Sequence, residues 1–366
     1  MTKVQEAFTQ VGQSIWLDYI RRSFIASGEL QQLIDAGLRG MTSNPTIFAE
    51  AIGESADYDE ALATLVAQNK SVDEIFEALT VEDIRNAAAL FQPLYTASEG
   101  VDGYVSLEVN ALHANDTEAT IEEARHLFAL TNRPNVMIKV PATAAGIPAI
   151  ATLIGEGINV NVTLIFSLTH YEAVAEAYME GIERLLTTNL DPRRVASVAS
   201  FFISRVDTAV DEKLAALGKR ELEGKIGIAN AKMAYVRYLH LFSNARWRPL
   251  AAVGARPQRL LFGSTGTKNP AYPDTFYVDA LMGANTVNTV PRVTLEAFRK
   301  SGTIAPGLTT DLERAREAVT QLAALGIDLD ELTQALQETG VRKFVTSFTE
   351  LQEAIQQKRE QLRVKA

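Results

Sequence analysis

Eight short runs rich in Val, Ile, Leu and Phe punctuate the chain, with helical patterns between them. They are Ser14–Tyr19, Leu38–Thr42, Tyr104–Val109, Asn135–Val140, Asn159–Phe166, Arg194–Phe202, Arg259–Ser264 and Ala284–Val290. Most lack a long polar face, as strands covered by helices should. Helical periodicity holds over Thr117–Leu130 (behind the capping residue Asp116), Pro148–Ile154, His170–Thr187 and Asp207–Leu217. Eight strands, each followed by helical sequence, predict an α/β fold closed into a barrel rather than an open doubly wound sheet.

The expected architecture is a single (β/α)8 TIM barrel over residues 1–366, because no low-complexity tract, linker or charge block divides the chain. Two mainly helical insertions, Phe48–Leu94 and Ile203–Pro257, exceed what a simple barrel needs. Three helical stretches follow the last strand, at Thr294–Ser301, Asp311–Leu325 and Asp328–Gly340. The amphipathic tail Ser347–Val364 reads as a helix packed across the barrel, against the alternative of a partner-binding helix.

Composition narrows the chemistry. With 35 Lys+Arg against 45 Asp+Glu, the net charge of −10 gives no electrostatic footing for nucleic acid or a membrane surface. No cysteine means no disulfide, thiolate ligand or thiol nucleophile. The four histidines, 113, 126, 170 and 240, have no ligand-like spacing, so no metal is expected. MTKVQEAFTQVGQSIW lacks the cationic start and apolar run of a secretory signal, and no window is apolar enough for a spanning helix. A soluble, cytoplasmic protein is expected. No apolar stripe marks an interface, so the pattern names no oligomeric partner.

In such a barrel, the C-terminal strand ends carry the chemistry. They supply Asp18, Asn44, Glu108, Lys139, Asn161, Thr163, Ser200, Ser264 and Asn288. Lys139 lies within the apolar run Met137-Ile138-Lys139-Val140-Pro141. A lysine there either snorkels out or pairs with a carboxylate, or it is an amine that burial has made ready to attack a carbonyl. Along the fifth strand, Asn159, Asn161 and Thr163 alternate with Val160, Val162 and Leu164, so the polar set shares the inward face. It can bind a polyhydroxylated ligand or form an internal hydrogen-bond network. Ser200 and Arg205, with Ser264, Thr265, Thr267 and Lys268 of GSTGTKNP, suit a phosphate, although surface turns share that loop's composition. The loop lacks the nucleotide P-loop spacing.

Together these segments resemble the transaldolases, Schiff-base enzymes of the pentose phosphate pathway. The resemblance runs from SIWLDYI through MTSNPTIFAEAI, YVSLEVN, NVMIKVPAT, GINVNVTLIFS, VASVASFFISRVD and RLLFGSTGTKNP to YVDALMGANTVNTVP. It implies transfer of a dihydroxyacetone unit from sedoheptulose 7-phosphate or fructose 6-phosphate to glyceraldehyde 3-phosphate or erythrose 4-phosphate, without metal or organic cofactor. Lys139 is similar to the family's nucleophile, and Asp18 to its acid/base carboxylate. Glu108 and Thr163 resemble the pair that positions a catalytic water. Asn44 and Asn161 match amides that hold substrate hydroxyls. Ser200 and Arg205 match a substrate-binding serine and a phosphate-binding arginine, with Phe202 lining the same stretch. Lys268 stands where a second phosphate-binding arginine is expected, and Lys139 is followed by Val-Pro-Ala-Thr instead of leucine-alanine-serine-threonine. That run leans toward a related aldolase that releases dihydroxyacetone. A sugar-phosphate-binding barrel without catalysis is the remaining alternative.

Overall fold

The eight expected strands pair in sequence order, all parallel, and β8 returns to β1 to close the barrel. They are β1 (Gln13–Asp18), β2 (Gly40–Thr42), β3 (Tyr104–Glu108), β4 (Val136–Pro141), β5 (Val160–Ile165), β6 (Ser197–Phe202), β7 (Arg259–Gly263) and β8 (Thr286–Val290). This computed structural model describes residues 1–365, and the side chains of residues 1–362. Ala366, the last residue of the expected 1–366 unit, lies outside the described residues, as does the side chain of Val364 in the expected tail.

Alternation along the strands divides two environments. Ile15, Leu17, Val105, Leu107, Ile138, Val140, Val160 and Val162 point outward and join the main core under the helices. Trp16, Tyr104, Met137, Val198, Leu261 and Val287 form a separate cluster that fills the N-terminal half of the barrel interior. Gly40 is required beside this plug, since a Cβ there would lie 2.5 Å from the Trp16 ring. Two residues further along the same inward faces come Asp18, Ser106, Lys139 and Ser200, so the lumen turns from apolar to ionisable toward the strand ends.

Between β5 and β6 the register slips within Val162–Ile165, where Leu164 has φ of 58°. This bulge turns Leu164 into a second apolar cluster with Phe166, Phe202 and Phe344. The insertion after β2 forms helices Pro45–Gly53, Asp59–Ala67 and Val72–Ala97, and that after β6 forms Ser204–Ala216, Ile226–Leu241 and Trp247–Ala252.

The C-terminal region departs from expectation. The two separate stretches Asp328–Gly340 and Ser347–Val364 are one continuous helix, Leu329–Lys365. Gly340 looked like a stop, yet it serves close packing: a Cβ there would meet Leu164 at 2.8 Å. The helix lies across the barrel, as expected of the tail. Gln337 donates to the carbonyls of Ala142 (2.9 Å) and Leu164 (3.0 Å), and Phe348 packs edge-on against Phe76. Among the described residues no helix is long and apolar enough to cross a membrane.

Candidate active site

A cavity of about 370 Å³ opens at the C-terminal strand ends. Lys139 reaches it from β4 and is only 5% exposed. Its Nζ donates to the Ser43 carbonyl at 3.1 Å and lies 3.1 Å from Glu108 Oε2. The latter contact is an ion pair off the hydrogen-bond direction, so neither Glu108 oxygen has a hydrogen-bond partner among the described residues. The Phe344 ring caps the amine, its centre 5.8 Å away. Of the readings open for this lysine, pairing with a carboxylate is what its surroundings show; Lys139 lines the cavity, while Glu108 stands behind it and does not. Burial holds the Glu108 carboxyl above its ordinary value, Lys139 opposes this, and Asp18 adds to it.

Asp18, at the end of β1, lines the same cavity. Thr42 donates to its Oδ1 at 2.7 Å, and Thr42 and Thr289 are joined at 2.8 Å. Although part of its surface opens to the cavity, Asp18 sits deep in the protein, and burial raises its carboxyl. Lys139, Thr42 and Arg205 pull it back without cancelling the effect. The lumen thus holds two acids with raised affinity for a proton, both acted on by the charge of one amine.

The polar face of β5 has a divided fate. Asn159 is an internal clamp: it donates to the carbonyls of Pro134 and Val136 and accepts from Ala196 N–H. Asn161 accepts from Ser200 at 2.7 Å and donates to Ser106 at 3.0 Å, which fixes Ser200 at the cavity wall. Thr163 is fully buried and its hydroxyl has no hydrogen-bond partner among the described residues. Asn44 lines the cavity while its Oδ1 caps the helix Pro45–Gly53 through Ile47 N–H, leaving the Nδ2 end for a ligand.

At the other end stand Arg205, Ser264, Thr267 and Lys268, with Phe202 beneath the Arg205 guanidinium at 5.2 Å. Ser264 bonds to Ser204 at 2.9 Å, in a backbone conformation with φ of 54°. Burial pulls the guanidinium below its ordinary value, with Asp18 and Glu108 opposing. Thr265 is set back, spending its hydroxyl on Asn288 and on the Thr289 carbonyl.

Two expectations change here. Asn288, expected at the rim, does not line the cavity; Thr289 does. The strand ends at Val290, as expected, but Thr289 shares the inward face of Val287, and each single step along a strand reverses the face, so Asn288 points away from the cavity. Lys343 and Phe344 of the C-terminal helix also line the cavity and were missed. They fall between the two expected stretches Asp328–Gly340 and Ser347–Val364, in the part of the continuous helix that was not expected to be helical. Among the described residues no group of three or more His, Cys, Asp or Glu could hold a metal ion.

Residues 15–355 match the family described as transaldolase/fructose-6-phosphate aldolase. The chain is 47% identical to the transaldolase of Parafrankia sp., over 99% of each protein. It is 46% identical to that of Saccharopolyspora erythraea (97% of this chain, 98% of the relative) and to that of Thiobacillus denitrificans (94% and 97%). A lysine paired with a carboxylate at the mouth of a closed barrel, with matches that span nearly its whole length, places this chain in the transaldolase/fructose-6-phosphate aldolase family.

Proposed function

We propose that the protein is a transaldolase that moves a dihydroxyacetone unit between sugar phosphates through an imine on Lys139. The observation that carries this reading is the buried Lys139 amine, 3.1 Å from Glu108, sharing a cavity with Asp18. Glu108 is placed to take the ammonium proton, leaving a neutral amine. Attack on the ketose carbonyl forms a C–N bond, and loss of water gives an iminium that draws electrons from the adjacent carbons.

Asp18 then accepts the proton of the C4 hydroxyl as C3–C4 breaks. The aldose leaves as an aldehyde, and the bonding pair stays on the three-carbon fragment as an enamine. An incoming aldehyde forms the new bond and recovers the proton from Asp18, after which hydrolysis frees the ketose and Lys139. Asn44, and Asn161 through Ser200, suit the hydroxyls of the retained fragment. Glu108 and Thr163, both with buried oxygens that lack hydrogen-bond partners among the described residues, suit the water that must leave and return. Arg205 and Lys268 suit the phosphate. Phe344 walls the amine with apolar surface, which favours holding the enamine for a second sugar over early protonation.

Incubation with fructose 6-phosphate alone tests the transferase. Free dihydroxyacetone should stay near the enzyme concentration until an aldose phosphate is added. Rapid, sustained release would assign the aldolase activity that the family also contains. No borohydride-trapped adduct with any ketose would leave only a binding barrel.

A further inference from the structure

We infer that Lys343, carried by the helix Leu329–Lys365, is a third phosphate-binding cation of the substrate site, beside Arg205 and Lys268. The inference rests on the transaldolase reading, and it adds a residue from a helix that no strand end supplies. All three cations line one cavity, and none forms an ion pair with a carboxylate among the described residues. Other cations of the same helix do find protein partners. Arg342 lies near Glu338 and donates to Thr339, and Lys358 binds Asp59 and the carbonyls of Ile52 and Ser55. Lys343, by contrast, is turned toward like charge.

Lys343 lines the cavity from an exposed position; partial burial lowers the proton affinity of its ammonium, and repulsion from Arg205 and Lys268 lowers it further, while Glu50 resists. Three cations gathered around one cavity repel one another unless an anion joins them, and a dianionic phosphate reverses the sign of that interaction. The packing of the helix maintains the arrangement. Gly340, one turn before Lys343 on the same helical face, lets the backbone approach the barrel: a Cβ there would lie 2.8 Å from Leu164 and 3.6 Å from Arg205 Nη1. The neighbouring side chain, Phe344, goes to Lys139. Two consecutive residues therefore serve the two ends of the site, with the ammonium at the anion end and the ring at the amine.

The test measures inorganic phosphate binding to the whole protein by calorimetry, for the parent, Lys343→Met, Lys343→Arg and the outward-facing control Arg342→Gln. Loss of one charge-assisted contact should weaken Lys343→Met by about ten- to hundredfold. Lys343→Arg should stay within a few-fold of the parent, and Arg342→Gln should match it. Binding by Lys343→Met within twofold of the parent overturns the inference. Borohydride trapping with dihydroxyacetone, which carries no phosphate, is the second readout. Equal labelling of parent and Lys343→Met confines the loss to the anion end, whereas lost labelling in the variant assigns Lys343 a general structural role and also overturns the inference. A parent that never labels removes the transaldolase reading and leaves the phosphate measurement standing.

Discussion

Lys139 Nζ and Glu108 Oε2 lie 3.1 Å apart, and the two residues are register partners on β4 and β3. Neighbouring strands deliver an acid and a base to the same level of the lumen, so proton transfer between them needs no movement of the chain. Glu108→Gln keeps the shape and removes the proton acceptor. Imine formation with dihydroxyacetone, followed by borohydride trapping, should slow by about 10²–10⁴. Mass spectrometry of the reduced adduct should still find Lys139 alone modified, and Lys139→Ala should not label. An unchanged trapping rate in Glu108→Gln would remove Glu108 from the proton path.

Asp18 serves a different step. It lines the cavity with Lys139 and is held by Thr42 at 2.7 Å. Asp18→Asn should therefore leave trapping with dihydroxyacetone near the parent rate, since no carbon–carbon bond breaks there. Turnover of fructose 6-phosphate with an aldose phosphate acceptor should fall by about 10²–10⁴. Equal losses in both assays would show that Asp18 supports the amine instead of cleaving the sugar.

Much of this was legible because a parallel barrel buries both faces of each strand. Apolar runs marked all eight strands, and an intruding charge such as Lys139 stood out against them. Alternation put Asn161 and Thr163 on the inward face, but it could not distinguish Asn159, which clamps backbone below the site, from Asn161, which braces Ser200. Asn288 was displaced by Thr289 because the run TVNTV offers a polar residue on each face, and only the inward position of Val287 shows which face lines the lumen. Lys343 and Phe344 were hidden for another reason. Nothing along a helix tells which residues will face a cavity built roughly two hundred positions earlier, and Gly340 reads as a terminator until its close approach to Leu164 is seen.

Arg205 stands at the anion end of the cavity with its guanidinium against Phe202. Arg205→Ala should lower kcat/KM for fructose 6-phosphate by about ten- to hundredfold, through the loss of a charge-assisted contact. Trapping with unphosphorylated dihydroxyacetone should change little. Steady-state kinetics and the trapping assay, run on the same preparation, check the difference. An equal loss on both would place Arg205 at the reacting carbons, where Asp18 and Glu108 act on its charge.

Asp207, two residues after Arg205, is nearly fully buried on the helix Ser204–Ala216 and accepts the Gly227 N–H at 2.6 Å. Burial pushes its carboxyl up to about 7, Asp211 adds to the push, and the Gly227 N–H and Tyr277 resist it. An acid that holds its proton more tightly when folded favours the folded state most at low pH. That contribution is complete below the unfolded value near 3.8, falls as the unfolded chain ionises first, and is gone once pH passes about 7. Asp207→Asn keeps an acceptor for Gly227 and cannot ionise. Between pH 5 and pH 8 the parent should therefore lose about 2 kcal/mol of stability relative to this variant, measured by urea denaturation at each pH. The order matters: the parent should approach or exceed the variant at pH 5 and fall behind at pH 8. Parallel pH profiles would mean that Asp207 ionises equally readily in both states, so that the Gly227 N–H and the helix start behind it compensate for its burial.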